Sequence, residues 1–515
     1  MLDFNRLQTP PADGDILIEP PPAQWPELMA RNIRQRREYR FTLAGEPAER
    51  AVQETRAVLI DHDPVVACGH QPAFVHPGVW AKHVVVRHAS EAFGVEGLDL
   101  VVDNDAPASS SLSVPVVEPD GLVSRREIAF SSGPVGSPYE GRPPLSPEQI
   151  ARIDRELSDL LGERFEASQM PRYLAHLAQP NPRDAVAQHV AGRASVDELF
   201  EATLPEARVS DAFGGLFLAD LLLNPEPFAV AYNQALTKYR QEQGVSSPDR
   251  PLPNLGRESD RTEAALWIYQ PLQRRRRLWV RRTGDQIELF ADAILIGKVP
   301  ARDLAHNPDA TLRTLHPWVI RPRALTLTLW ARLLVCDLFV HGIGGAKYDR
   351  ITDEIIRRYY RCEPPAFACV SATLRLPLPV FDTTLDHLRT AHRHLRDWHF
   401  NPQRYLSSQG ATIESASGLA GELLDERARL IDRSRHLREI RASHLERREV
   451  YRAIRQVNEQ LVKLVPEREV ELNQRIVRLE RELSSNEIAQ SREFFYGLQP
   501  HDRLAALAKR LRDGW

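Results

Sequence analysis

The sequence predicts an α/β fold: a parallel sheet covered by helices, with a helical insertion and a C-terminal helical hairpin or coiled coil. Three observations predict it. Residues 63–102 read as strand, helix, strand with short joints, a right-handed βαβ unit that implies parallel strands. Strand character lapses between about residues 146 and 260 and then returns. After Pro379 the composition turns to charged heptads. A length of 515 residues suits two or three packed units, and 42% hydrophobic with 27% charged residues excludes a disordered or fibrous chain.

Residues 1–55 carry the proline clusters Pro10-Pro11 and Pro20-Pro21-Pro22 and read as a segment wrapping the core. The core spans 56–380. Val65-Val66-Ala67-Cys68 is a short buried strand, Gly69-His70-Gln71-Pro72 a turn, and a helix follows from about Pro77 to Phe93, closed by Gly94. Leu98 to Val102 is the next strand, ending in Asp103-Asn104-Asp105, and a hairpin follows over 114–130. The insertion, 146–260, is helical, with Leu157, Leu160 and Leu161 and later Phe217, Leu218, Leu221 and Leu222 at helical spacing. Strands return at 267–269, 277–281 and 286–290, the last two joined by a Gly284-Asp285 turn. Next come a helix from about Pro322, a strand over 338–341, a glycine loop over 342–345 and a helix over 349–360. Residues 381–515 form the hairpin or coiled coil and a tail. Leu423, Leu430 and Leu437 fall seven apart, and an arm over 421–464, with Pro466 at its turn, would be about 65 Å long at 1.5 Å per residue.

Charge narrows the function classes. A net charge of −3 excludes a chain whose main business is coating nucleic acid or an anionic membrane. The run Arg274 to Arg277 with Trp279, Arg281 and Arg282 reads as a solvated edge strand guarded by charge. The most apolar stretch, 325–340, contains Arg332 and Asp337, so no membrane span is expected. Four cysteines without CxxC spacing and a start without a basic then apolar segment point to reduced thiols and the cytoplasm. Of 67 basic residues only six are lysine, which weakens any argument from a single arginine and singles out Lys82 and Lys347.

Two loops carry the chemistry. Gly69, His70, Gln71, His76 and Lys82 lie between a strand's carboxyl end and a helix's amino end, where an open α/β sheet binds ligands and free N–H groups attract anions. The alternative is a proline-rich connection whose histidines cap the helix. Asp103, Asn104 and Asp105 end the next strand on the same sheet edge, either to bind a substrate amine or ribose or as ordinary turn residues. His341, Gly342, Gly344 and Gly345, then Lys347 and Tyr348, repeat the strand, glycine, helix arrangement, with close backbone approach or positive φ as the reason for three glycines. Arg321 and Arg323 offer guanidinium forks for a carboxylate, or are ordinary members of an arginine-rich chain. The spacings of His70, His76, His83, His88 and Asp103 match no zinc pattern, so no metal is expected from them, and Cys68 reads as a small core residue.

At these loops the chain resembles the cysteine-adding enzymes of bacillithiol biosynthesis. The stretch Cys68-Gly69-His70-Gln71-Pro72-Ala73-Phe74-Val75-His76-Pro77-Gly78 is similar to that family's Thr-Gly-Gln-Gln-x-Gly-Leu-x-x-Gly-Pro loop. Val102-Asp103-Asn104-Asp105 is similar to its Gly-Glu-Asp-His-Asp strand end, and Arg321-Pro322 with Gly342-Ile343-Gly344-Gly345-Ala346-Lys347-Tyr348 to its Arg-Pro and Gly-Pro-Gly/Ala-Glu-x-x-Tyr segments. Tyr232-Asn233-Gln234-Ala235-Leu236 resembles another family string. His70, His76-Pro77-Gly78 and Lys347 depart from the pattern. The resemblance implies a Rossmann-like, nucleotidyltransferase-like core, a C-terminal coiled coil pairing two copies, and a small-molecule ligase or transferase, with ATP or ADP as candidate cofactor. In that reading His70, Asp103, Asp105 and Lys82 are catalytic. Gly69, Gln71, His76, Asn104, Arg321, His341, Gly342, Gly344, Gly345, Lys347 and Tyr348 bind substrate. The alternatives are an adenylyl-type nucleotidyltransferase and a noncatalytic coiled-coil scaffold.

Overall fold

The structure, a computed structural model, describes residues 7–107, 111–130, 133–247, 250–406 and 417–514. The first six residues, read above for a targeting segment, lie outside them. The chain divides into two compact units, one of residues 1–114, 125–376 and 491–515, the other of residues 115–124 and 377–490.

The first unit is built on two sheets. Apart from the two-residue strands Thr42–Leu43 and Glu46–Pro47, the strands in chain order are β1 (Ile16–Glu19), β2 (Val65–His70), β3 (Glu96–Val101), β4 (Ser111–Val117), β5 (Val123–Ala129), β6 (Glu206–Arg208), β7 (Thr262–Tyr269), β8 (Arg276–Thr283), β9 (Gln286–Ala291), β10 (Ile294–Pro300), β11 (Val319–Pro322), β12 (Leu338–His341) and β13 (Phe367–Ala372), with residues 115–124 of the β4–β5 hairpin counted in the second unit. The six-stranded sheet has the order β1-β13-β12-β2-β3-β6, and every pair is parallel except β1 with β13. Parallel strands buried on both faces read as unbroken apolar runs, and Val65, Val66, Ala67 and Cys68 are all fully buried. Counted along the chain, the parallel strands stand third, second, first, fourth, fifth across the sheet. The chain therefore leaves β2 toward one side and returns as β12 on the other, opening a crevice at their carboxyl ends.

Two helices start at that crevice. Helix α1 (Pro77–Phe93) has His76 as its N-cap, Pro77 in its first turn and Gly94 at φ 65° as its left-handed stop. Helix α2 (Ile343–Ile355) begins directly after Gly342. The expected glycine loop over 342–345 is therefore the first turn of a helix. None of its glycines has positive φ. Gly345 alone is sterically required, because a Cβ there would lie 2.9 Å from His341 Nδ1, whereas Gly342 and Gly344 face open space.

Four further expectations are corrected. The N-terminal segment contributes β1, which completes the sheet edge, rather than only wrapping it. The insertion holds a sheet strand, β6, as well as helices. The arginine-rich strand is not an edge: β8 pairs with β9 on one side and β7 on the other, the antiparallel sheet order being β10-β9-β8-β7-β11. Its cations are matched by carboxylates, Arg281 by Glu288 at 2.6 Å and Asp260 at 2.5 Å, while Arg261 covers the Trp279 ring at 5.0 Å. The tail over 491–515 belongs to the first unit, where it buries Tyr496, Leu504, Leu507 and Leu511.

The second unit is helical: α3 (Leu385–Phe400), α4 (Ser417–Glu439), α5 (His444–Lys463) and α6 (Pro466–Ala489). Its core joins Trp398, Leu423, Val457, Leu461 and Leu472, and a second cluster joins Ala391, Ile476 and Leu479. The single arm expected over 421–464 is two helices. Arg441 turns left-handed at φ 51°, Ala442 N–H donates to Leu437 O at 2.9 Å, and Ser443 and Glu446 form a reciprocal capping box that starts α5. Pro466 occupies the first turn of α6. No helix among the described residues is long and apolar enough to cross a membrane.

Candidate functional site

A cavity of about 550 Å³ opens at the carboxyl ends of β2 and β12. Ten sequence candidates line it: Gly69, His70, His76, Lys82, Asn104, Asp105, His341, Gly342, Gly344 and Gly345. Gly69 is fixed by strand packing, since a Cβ there would sit 2.9 Å from Leu100 O. Four charged or aromatic side chains from distant segments also line it, Trp267, Arg275, Arg323 and Arg492, of which sequence reading singled out only Arg323, beside Arg321, for substrate. They arrive from the antiparallel sheet, the joint before a helix and the chain's tail, through pairings too distant in sequence for local pattern to signal.

Lys82 is the cavity's free cation. It is 3% exposed, its Nζ donates to Gly69 O at 2.8 Å, and among the described residues no carboxylate pairs with it. Burial lowers its pKa, with Cys68 and Asp99 partly opposing. The three arginines are engaged elsewhere: Arg275 with Asp105 at 2.7 Å, Arg323 with Glu263 at 2.6 Å, Arg492 with Glu493 at 3.1 Å. Arg275 and Arg323 also lie over the Trp267 ring, at 5.1 and 4.2 Å. Asp105, which also accepts from Gln71 Nε2, is thus already neutralised and is no free base.

The three histidines differ. Burial, aided by the Lys82 charge, pushes His70 well below its ordinary pKa, and its Nδ1 is buried without a partner, so it is a neutral imidazole. His76 caps α1, accepting from Gly78 N–H at 3.1 Å, and burial lowers it to about 4 against an opposing Glu493. The capping alternative holds for His76 and not for His70. His341 Nε2 meets Asp349 Oδ2 at 2.9 Å, and its Nδ1 has no protein hydrogen-bond partner among the described residues. Burial alone would raise the Asp349 carboxyl, but Arg332, paired with it at 2.5 Å, and His341 outweigh this and hold it well below the carboxylate range. A carboxylate bonded to one imidazole nitrogen fixes the tautomer that leaves the other as an acceptor. No side chain caps α2, so its first-turn N–H groups meet the cavity at residues 343–345. The arrangement can hold an anion on Lys82 and the α2 N-terminus and accept a proton at His341.

Five candidates lie elsewhere. Gln71 donates to Asp105 and does not line the cavity. Lys347 and Tyr348 are exposed on α2, Tyr348 with its ring 6.4 Å from that of Tyr239, so lysine scarcity supports Lys82 alone. Arg321 is bound to Glu140 at 2.5 and 2.9 Å, and Glu140 also accepts from Tyr269. Asp103 is fully buried beside a different cavity and accepts from Ser210 N–H at 3.0 Å and from the Ser210 hydroxyl, joining the end of β3 to the helix after β6. It stitches the sheet and does not line the cavity at the ends of β2 and β12.

Asp103 makes a pH prediction. Burial, opposed by the Ser210 hydrogen bonds, raises its pKa from 3.8 to about 6. The folded state thus keeps a proton that the unfolded state has lost, so stability falls as pH rises from about 4 through 6 and stays lower above. Asp103→Asn cannot ionise. Its stability relative to wild type is expected to rise by about 2 kcal/mol between pH 4.5 and pH 8 in urea titrations, and a pH-independent difference contradicts the assignment.

A comparison with known protein families finds no family model that matches this chain, and a comparison with curated proteins finds no match.

Proposed function

We propose that the chain is a small-molecule ligase or transferase that forms a C–N bond, similar to the cysteine-adding enzymes of bacillithiol biosynthesis. One observation carries this reading: a single cavity gathers an unpaired lysine, an uncapped helix N-terminus and a histidine oriented by a buried carboxylate. The strand order supports the Rossmann-like description of the core, whose ligand crevice this position would be. In this reading the amine attacks a carboxyl carbon activated as an acyl phosphate with ATP as phosphate donor: the C–N bond forms as the C–O bond to phosphate breaks, the phosphate leaves onto Lys82 and the α2 N-terminus, and His341 takes the amine proton. Neutral His70 donates a hydrogen bond to the same ligand. The second unit exposes Leu445, Tyr451, Val470 and Val477, which favours pairing of its helices with another copy as a coiled coil.

The test is turnover by the full chain with cysteine and a glucosaminyl-malate, with and without ATP, read by mass spectrometry. The expected result is a product whose mass is the sum of the two substrates less water. Nucleotide-dependent pyrophosphate release without that product favours the adenylyl-type alternative. No turnover, with function lost on deleting residues 379–490, favours the scaffold.

A further inference from the structure

We propose that Cys68, His83 and Asp99 form a buried binding site for one zinc-type divalent cation, independent of the ligase reading. Cys68 and Asp99 are direct partners across the parallel pair β2 and β3, and His83 comes from α1, packed on both strands. Sγ lies 3.7 Å from one Asp99 oxygen, His83 Nε2 lies 3.6 Å from the other, and one donor atom from each residue falls within 4.8 Å of the rest. Ligand atoms about 2.0–2.3 Å from a tetrahedral zinc ion stand roughly 3.5 Å apart, so the three need only a small adjustment to share one ion.

The second observation is His83 itself. It is 2% exposed and its Nε2 is buried with no hydrogen-bond partner. Its Nδ1 faces Asp197 Oδ2 at 3.3 Å, and that carboxylate is held by Trp80 Nε1 at 2.8 Å and the Tyr496 hydroxyl at 2.7 Å. Asp197 and Asp99 can both only accept, but the 3.3 Å contact to Asp197 is within hydrogen-bond distance and the 3.6 Å contact to Asp99 is not, so the geometry favours the ring proton on Nδ1 and a lone pair on Nε2 toward Asp99. That oxygen, Oδ2, already accepts from Arg193 Nη2 at 2.8 Å, whereas Nε2 has no partner, and a cation bound between the two would give the nitrogen one. A carboxylate orienting the far nitrogen of a ligating histidine is the usual support of a metal site.

Charge agrees. Around the cluster stand three carboxylates, Asp99, Asp197 and Glu206, against two cations, Arg193 and Lys82, with Arg193 at 2.8 Å from Asp99 and 2.7 Å from Glu206. One negative charge is in surplus, and a second appears when Cys68 gives its thiol proton to solvent on binding. A dication balances both. Three protein ligands leave a fourth position for a water. The competing resolution is a second proton on His83, giving an imidazolium between Asp99 and Asp197. The spacing of 15 and 16 residues between ligands matches no short zinc motif, which is why sequence reading missed the site.

The test uses the full chain, purified without a metal column from zinc-supplemented culture. Elemental analysis is expected to find about one zinc per chain, reduced at least tenfold in Cys68→Ser and in His83→Gln. Cobalt exchanged into wild type is expected to show thiolate-to-cobalt charge-transfer absorption. Circular dichroism checks that each variant folds, and the wild-type cobalt spectrum decides the matter even where a variant does not. Folded wild type that takes up no zinc when refolded in its presence, or a cobalt spectrum without the thiolate band, overturns the proposal in favour of the imidazolium.

Discussion

Replacing His341 by glutamine is expected to lower turnover in the product assay by about 10²- to 10⁴-fold, the usual worth of a positioned general base. The fold should survive, because Asp349 keeps its ion pair with Arg332 when the imidazole is gone. Affinity for the anionic substrate should change little, since the anion rests on Lys82 and the α2 N-terminus. A fall in affinity with unchanged turnover would instead make His341 a binding residue. Gly345→Ala is the companion, because its methyl group would press within 2.9 Å of Nδ1 and displace the ring without removing it.

The second large effect is on stability. Arg332 is 2% exposed and ties together Asp349, Asp353 at 2.7 Å and Pro365 O, with its guanidinium 4.7 Å from the Phe367 ring centre. Arg332→Leu strands the buried Asp349 carboxylate and leaves the half-buried Asp353 without its cation, and is expected to cost about 3–5 kcal/mol, a large share of a typical folding free energy. Urea denaturation followed by circular dichroism measures it. The double variant Arg332→Leu with Asp349→Leu removes the stranded charge on Asp349 and should recover part of the loss. It should not recover turnover, because His341 then lacks the carboxylate that sets its tautomer. Recovery of both would mean that Asp349 serves stability alone.

What was legible follows from how local each signal is. The βαβ unit could be read because Val65 to Cys68 is an unbroken buried run and Gly94 stops the helix by itself. Strand β12 and its His341 could be read for the same reason. Strand β6 could not: three residues, two of them charged, become a strand only because β3 lies beside them. The glycines over 342–345 oppose helix formation by propensity, yet β12 feeds them straight into a helix whose later turns bury Ile351 and Ile355. Asp103 and Asp105 lie in the turn after β3 has ended at Val101, where the two-residue period of a strand no longer holds them on one face. They flank Asn104 and face different partners, Ser210 for one and Arg275 for the other, so a pattern that grouped them could not put both in one site. Arg321 and Arg323 differ likewise, one ending a strand toward Glu140 and the other capping the next helix beside Trp267. Lys82 was legible through its rarity and its position, one turn and a half into a helix that starts at the crevice.

The switch-point cavity is expected to bind an anionic small molecule on Lys82. The most direct measurement is isothermal titration of wild type and Lys82→Met with inorganic phosphate, ADP, ATP, malate and an amino-sugar phosphate. Loss of a charge-assisted contact of about 1.5–3 kcal/mol predicts that at least one of these binds wild type and binds Lys82→Met some 10- to 100-fold more weakly. Equal affinity of that ligand for the two proteins would contradict the account, and so would the absence of binding by any of the five.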